Sequence, residues 1–183
     1  MYSFLKMRKR ANIVKKLNIK ILSVHNIIKE KIMDEKESLT KYLNAIYQNT
    51  KTAIQSIGDI ILKVQDNDLI SELSKEQDEY SCLAKECENF AKAERIEDLK
   101  DNNWIEKARL WTSVNMGTMM DKSTRNIAEM MLLGTFMGIL TCIKDKADHK
   151  DISKELDEIM DKLYHFEREN IDRLIPFLVK ENK

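Results

Sequence analysis

Chain breakers are scarce in this sequence. Its 183 residues include one proline and four glycines, too little turn chemistry for the many short strands and hairpins of an all-β fold. The three cysteines, Cys82, Cys87 and Cys142, are an odd number with no C-x-x-C pair. That suits reduced thiols in a cytoplasm rather than a disulfide frame. There is no glycine-rich phosphate loop, nucleophile elbow or Cys–His signature, so P-loop chemistry and covalent hydrolysis have no support. The apolar run Met130–Ile143 is 14 residues long with Glu129 and Lys144 at its flanks. A membrane-spanning helix needs about 20, so no transmembrane segment is expected. After Arg8-Lys9-Arg10 the chain is repeatedly interrupted by Lys and Asn, which is unlike a secretory leader.

What is present is helix-forming: 43% of residues are hydrophobic and 34% charged, with Lys, Glu, Leu and Ile abundant. The fold class is all-α. From Ser38 to Gln65, Leu39, Leu43, Ile46, Thr50, Ala53, Ile57, Ile60 and Val64 alternate at spacings of four and three, the buried seam of a bundle helix. Asp68 to Arg95 repeats the pattern through Leu69, Leu73, Gln77, Tyr80, Ala84, Cys87 and Ala91, with Asp68 as the expected cap. Asp151 to Val179 does so through Ile152, Leu156, Ile159, Leu163, Phe166, Asn170, Leu174 and Phe177, with Pro176 loosening its end.

The stretch Thr112–Ile143 stands apart, holding six of the ten methionines and three of the four glycines. A single helix from Trp104 to Ala147 would be about 66 Å long, against about 45 Å for the others. Matching lengths places a break near Gly117–Thr124, a core helix over Asp121–Lys146, and a short connecting helix over Trp104–Met116. Two short-linked hairpins joined by a longer connection form the ferritin-like arrangement of the antiparallel four-helix bundle, with an up-down-up-down bundle containing one overlong helix as the alternative.

Charge divides the chain. Residues 1–32 carry nine Lys or Arg and one acid, and residues 33–183 carry a net charge of −8. The basic extension shows a helical stripe, Ile13, Leu17, Ile21, Val24 and Ile28. An over-extended translation start is the first reading of this segment, with Met33 opening an acidic MDEKESLTKYL start. A plain extra helix is the second. A membrane- or nucleic-acid-binding arm is the third. The acidic remainder repels phosphate backbones, so no nucleic-acid partner is expected of it.

The run MGTMMDKSTRNIAEMMLLGTFMGI, with EQDEY at Glu76–Tyr80 and ERENIDRL at Glu167–Leu174, resembles small uncharacterised proteins of low-GC Gram-positive bacteria. Those are similar to ferritin-like, rubrerythrin-related bundles. The resemblance spans about Ser38 to Leu178 and implies a fold without an activity.

A carboxylate-bridged di-iron or di-manganese centre needs oxygen ligands from four helices and two Glu-x-x-His pairs. No Glu-x-x-His occurs, and Ser38–Gln65 contains no Glu. Carboxylates remain at Glu76, Glu79, Asp121, Glu129, Glu167 and Glu169. No cofactor is expected. An iron- or manganese-binding oxidase or stress protein, the alternative, would use Glu79, Glu129, His165 and Glu169. Thr50, Gln77, Asp121, Thr124 and Asn170 are expected to form a polar core layer that sets register. Met130, Gly134, Met137 and Gly138 form the expected helix-contact surface. A helix apolar nearly all round needs cover on every side, so a homodimer through it is expected. The overall expectation is a cytoplasmic, non-enzymatic interaction protein.

Overall fold

The computed structural model describes residues 2–97, 99, 122–149 and 152–180, with side chains from Lys20 onward except Ile21. Four helices occur, and there is no strand among the described residues: α1 (Tyr2–Ile61), α2 (Asn67–Ala93), α3 (Thr124–Asp148) and α4 (Lys154–Leu178). The connecting helix expected at Trp104–Met116, and Asp121, lie outside the described residues.

The chain divides into two compact units, Met1–Leu39 and Thr40–Lys183. The first is helical. Its apolar side chains Leu22, Val24, Ile27, Ile28, Ile32 and Met33 are exposed. The helix expected to begin at Ser38 instead runs unbroken from Tyr2. Residues 29–37 contain no Gly or Pro and are mostly good helix formers, and Lys31 and Glu35 pair one turn apart at 3.8 Å.

The second unit is the four-helix bundle. Each of α2, α3 and α4 starts on a side-chain cap. Asp66 accepts from Asp68 N and Leu69 N, Ser123 from Asn126 N, and Ser153 from Leu156 N. The cap of α2 is thus Asp66 rather than Asp68, two residues upstream of the expected one, because its carboxylate reaches both free amides of the first turn. At the other end of α2, Arg95 takes a φ of 54°. Ile96 N donates to Ala91 O and Arg95 N to Lys92 O, a Schellman stop built without glycine.

Side-chain contacts show the helix directions. At one end Asp66 receives Lys180 Nζ at 2.7 Å and Thr124 Oγ1 at 3.4 Å, which brings together the starts of α2 and α3 and the exit of α4. At the other, Tyr42 Oη donates to Asp157 at 2.9 Å. Lys146 pairs with Asp157 and Asp161 there, and Lys162 with Glu86. So α2 and α3 run the same way, α4 runs against both, and α2 ends about 40 Å from where α3 begins.

The core is filled by Tyr42, Leu43, Ile46, Ile57, Leu69, Leu73, Ile127, Leu156, Met160, Leu163 and Leu174, all almost fully buried. Most belong to the expected seams.

Candidate functional site

Midway along the bundle the seams carry polar groups. On α2, Glu76 and Tyr80 are one turn apart and both buried, between Leu73 and Leu83. On α4, Glu167 and Asn170 are buried between Leu163 and Leu174. A spacing of three or four places each pair on one helix face, so the apolar residues that bury the seam bury them too. Asn170 Nδ2 donates to Tyr80 Oη at 3.5 Å, and Arg173 Nη2 donates to Asn170 Oδ1 at 2.5 Å. The Tyr80 ring stands edge-on to Phe166 with centroids 4.8 Å apart, and the Arg173 guanidinium lies 5.2 Å over Phe166. From α1, Asn49 Nδ2 donates to Gly138 O on α3 at 3.4 Å.

Glu76 and Glu167 are each 1% exposed. Both oxygens of Glu76, and Oε2 of Glu167, lack a direct hydrogen bond. A charged carboxylate in such a place is very costly, so the neutral acid is favoured. Burial pushes Glu76 up to about 8; the charge of Glu72 adds to this and Arg173 opposes it. Burial likewise pushes Glu167 well above the usual carboxylate range. The charge of Glu76 adds to the rise, and the polar groups of Tyr80 and Asn49 offset part of it. The Glu167 carboxyl sits against Gly138, in the space a Cβ would occupy. Gly138 therefore admits the carboxyl rather than a neighbouring helix.

Above this floor a cleft of about 590 Å³ lies between α1 and α3, lined by Ala53, Ile60, Met130, Leu133 and Met137 among others. Glu167 and Tyr80 form part of its lining, as do Asn49, Thr52 and Asp145. Burial raises Asp145 also, offset by His149.

The expected residues fare differently. Of the expected polar layer, Thr50 is buried but closes onto its own helix at Ile46 O and Tyr47 O. Gln77 reaches Ile54 O at 3.0 Å. Asn170 joins Tyr80, whereas Thr124 lies at the bundle end beside Asp66. Of the contact surface, Gly138 is buried, while Gly134 and Met137 are exposed and Met130 is half-buried. The alternative metal set does not converge: Glu79, Glu129, His165 and Glu169 are all exposed. His165 and Glu169 share a shallow cleft beside Phe136 and Arg168 that includes neither Glu79 nor Glu129. Among the described residues no three His, Cys, Asp or Glu come together to hold a metal ion. The two motifs EQDEY and ERENIDRL supply Glu76, Tyr80, Glu167 and Asn170. Of these, Tyr80 and Asn170 were expected in the seam. Glu76 and Glu167 stand in the sequence as candidate metal-ligating carboxylates, and their seam positions mark them as interior.

By length and composition α3 could cross a membrane, with 44% of its apolar window buried in the bundle. The chain matches no family model, no curated protein and no solved structure.

Proposed function

We propose that this chain is a ferritin-like, non-enzymatic interaction protein of the cytoplasm that pairs with a second copy of itself through α3. The ferritin-like reading draws support from the shared direction of α2 and α3, which requires a long crossover between two antiparallel hairpins. The non-enzymatic reading draws support from the thiols. Cys87 and Cys142 are buried and raised to about 12, mainly by desolvation, so neither offers a thiolate.

The observation that carries the pairing is the outer stripe of α3. Leu133, Phe136 and Met137 are each 52% exposed and Ile143 is 49% exposed. Around the point between Phe136 and Met137 the stripe reads the same in both directions. Leu133 answers Leu140, Met130 answers Ile143, and exposed Glu129 answers exposed Lys144. An antiparallel α3–α3′ contact about a two-fold axis would therefore set leucine on leucine and acid on base, as an isologous interface requires. Gly134 has open space around its Cβ position, which permits close approach. These features favour reading α3 as a contact helix over a membrane span.

Sedimentation equilibrium tests the pairing. The wild type should be dimeric at micromolar concentration, and Ile143→Lys should weaken association at least tenfold, about 1.4 kcal/mol. Glu129→Lys should weaken it as well, and adding Lys144→Glu should restore it. A monomer at tens of micromolar would refute the reading.

A further inference from the structure

The cleft between α1 and α3 shares Met130, Leu133, Phe136 and Met137 with the outer stripe of α3, but the pairing of α3 does not explain the buried acid at its floor. Its walls are mostly apolar, with methionine, leucine, phenylalanine, isoleucine and alanine beside Gln48, Thr52 and Ser56, and its volume of about 590 Å³ lies within the range of small-molecule sites. Among the described residues no Lys, Arg or His lines it; its acidic groups there are Glu167 and Asp145. At the floor, the Glu167 carboxyl is 1% exposed, with Oε2 unpartnered. Buried polar atoms are hydrogen-bonded in the great majority of cases, so an unpartnered carboxyl oxygen in the floor of a cleft is a place for a donor. Thr52 Oγ1, another buried atom without a hydrogen bond, belongs to a residue of the same lining.

We infer that this cleft binds a cationic amphiphile, a primary alkylammonium whose head group rests on Glu167 and whose tail lies along Met130, Leu133 and Met137. An anionic ligand would meet two acids and no cation among the described lining residues. A bare metal ion would find too few donors, since no cluster of three His, Cys, Asp or Glu exists among the described residues. An ammonium has three N–H donors and an apolar stem, and so matches both the floor and the walls.

The pairing has a proton consequence. The groups that face Glu167 are Asn49 from α1, Glu76 and Tyr80 from α2, and Cys142 from α3. None of them is a cation, and Arg173 acts on Glu76. Burial therefore favours the protonated carboxyl when the cleft is empty. An arriving ammonium takes the place of that proton, which leaves to solvent, and the ion pair remains. Affinity should accordingly rise with pH until either Glu167 or the amine itself titrates.

Titration calorimetry on the full chain at pH 7 tests this, with hexylamine, hexanol and hexanoate as probes in phosphate and in Tris. Hexylamine should bind at least tenfold more tightly than hexanol, about 1.4 kcal/mol, and hexanoate should not bind. The difference in heat between the buffers should correspond to release of about one proton per amine bound. Glu167→Gln should keep hexanol binding while losing both the amine preference and the proton release. Equal affinity for amine and alcohol, no proton release, or an unchanged preference in Glu167→Gln would overturn the assignment. The inference does not rest on the dimer. Ile143→Lys lies outside the cleft; because Leu133 and Met137 serve both surfaces, loss of association in this variant should preserve or strengthen amine binding.

Discussion

Helices α3 and α4 have the same length, 25 residues each, and pack antiparallel, yet they treat polarity in opposite ways. In α4 the charged residues face water along most of the helix, and the buried stripe is apolar except for Glu167 and Asn170. In α3 the apolar residues go all round, so Phe136, Met137 and Ile143 remain in solvent while Thr135 and Gly138 are inside. One helix carries an acid into the core and the other leaves hydrophobic side chains outside it. The two exceptions meet at Gly138, where α3 has no side chain and the acid of α4 fills the space. Each departure from simple amphipathicity has its counterpart in the neighbouring helix, and the cleft lies beside their junction.

The junction is most sensitive at Gly138. Gly138→Ala places a methyl group on the Glu167 carboxyl, which must then swing into the cleft. A loss of about 1–3 kcal/mol is expected in urea unfolding. Adding Glu167→Ala should return part of that loss, a coupling that independent sites would not show.

The buried acids give the second effect. Because the folded pKa of Glu76 is about 8 against an ordinary 4.5, the folded state holds its proton more tightly between those values. This contribution is fully present below the unfolded pKa and is lost as pH rises through the folded one. Glu167 acts in the same direction. Asp66 and Asp157 are lowered, Asp66 through Lys180 and Asp157 through Lys146 and Tyr42 against its own desolvation. Their contribution is lost as pH falls through the acid range. Tm should therefore peak at about pH 4–6 and decline toward pH 8. Glu76→Gln should flatten the decline and stabilise by about 1–2 kcal/mol at pH 8, with little change at pH 5. A Tm that climbs steadily from pH 5 to 8 would contradict this account.

The smallest effect sharpens the contrast between the two glycines. Nothing lies near the Cβ position of Gly134. Gly134→Ala should therefore stabilise the isolated fold by about 0.5–1 kcal/mol through helix propensity alone. If association weakens at the same time, the methyl group has entered the α3–α3′ contact.

The helix seams were readable because apolar spacing reports burial directly. Leu43, Ile46, Ile57, Leu69, Leu73, Leu156, Leu163 and Leu174 are all expected seam residues and all buried. The polar interior was harder to read. Glu76 and Glu167 fall on inward faces, but a carboxylate carries a strong expectation of exposure. Only their apolar neighbours on both sides give them away. The start of α1 was misjudged because a possible cap such as Ser38 ends nothing when helix formers precede it. The role of Gly138 was not readable at all, since a glycine does not reveal which partner comes close to it.

The hydroxyls inside the bundle have one more consequence. Thr50 bonds back to Ile46 O and Tyr47 O, Thr135 to Met131 O, and Ser74 to Ile70 O. Each is satisfied within its own turn, so to the neighbouring helix Thr50 and Thr135 present much the shape of a valine. Sliding one helix along its axis would leave these bonds whole. The ends behave otherwise: a slip of one turn, about 5.4 Å, would separate Asp66 from Lys180 and Tyr42 from Asp157 together. The alignment of the bundle is thus held by a clip at each end together with the mid-bundle bonds of Gln77 to Ile54 O and Asn170 to Tyr80, and releasing one clip leaves the others to keep the register.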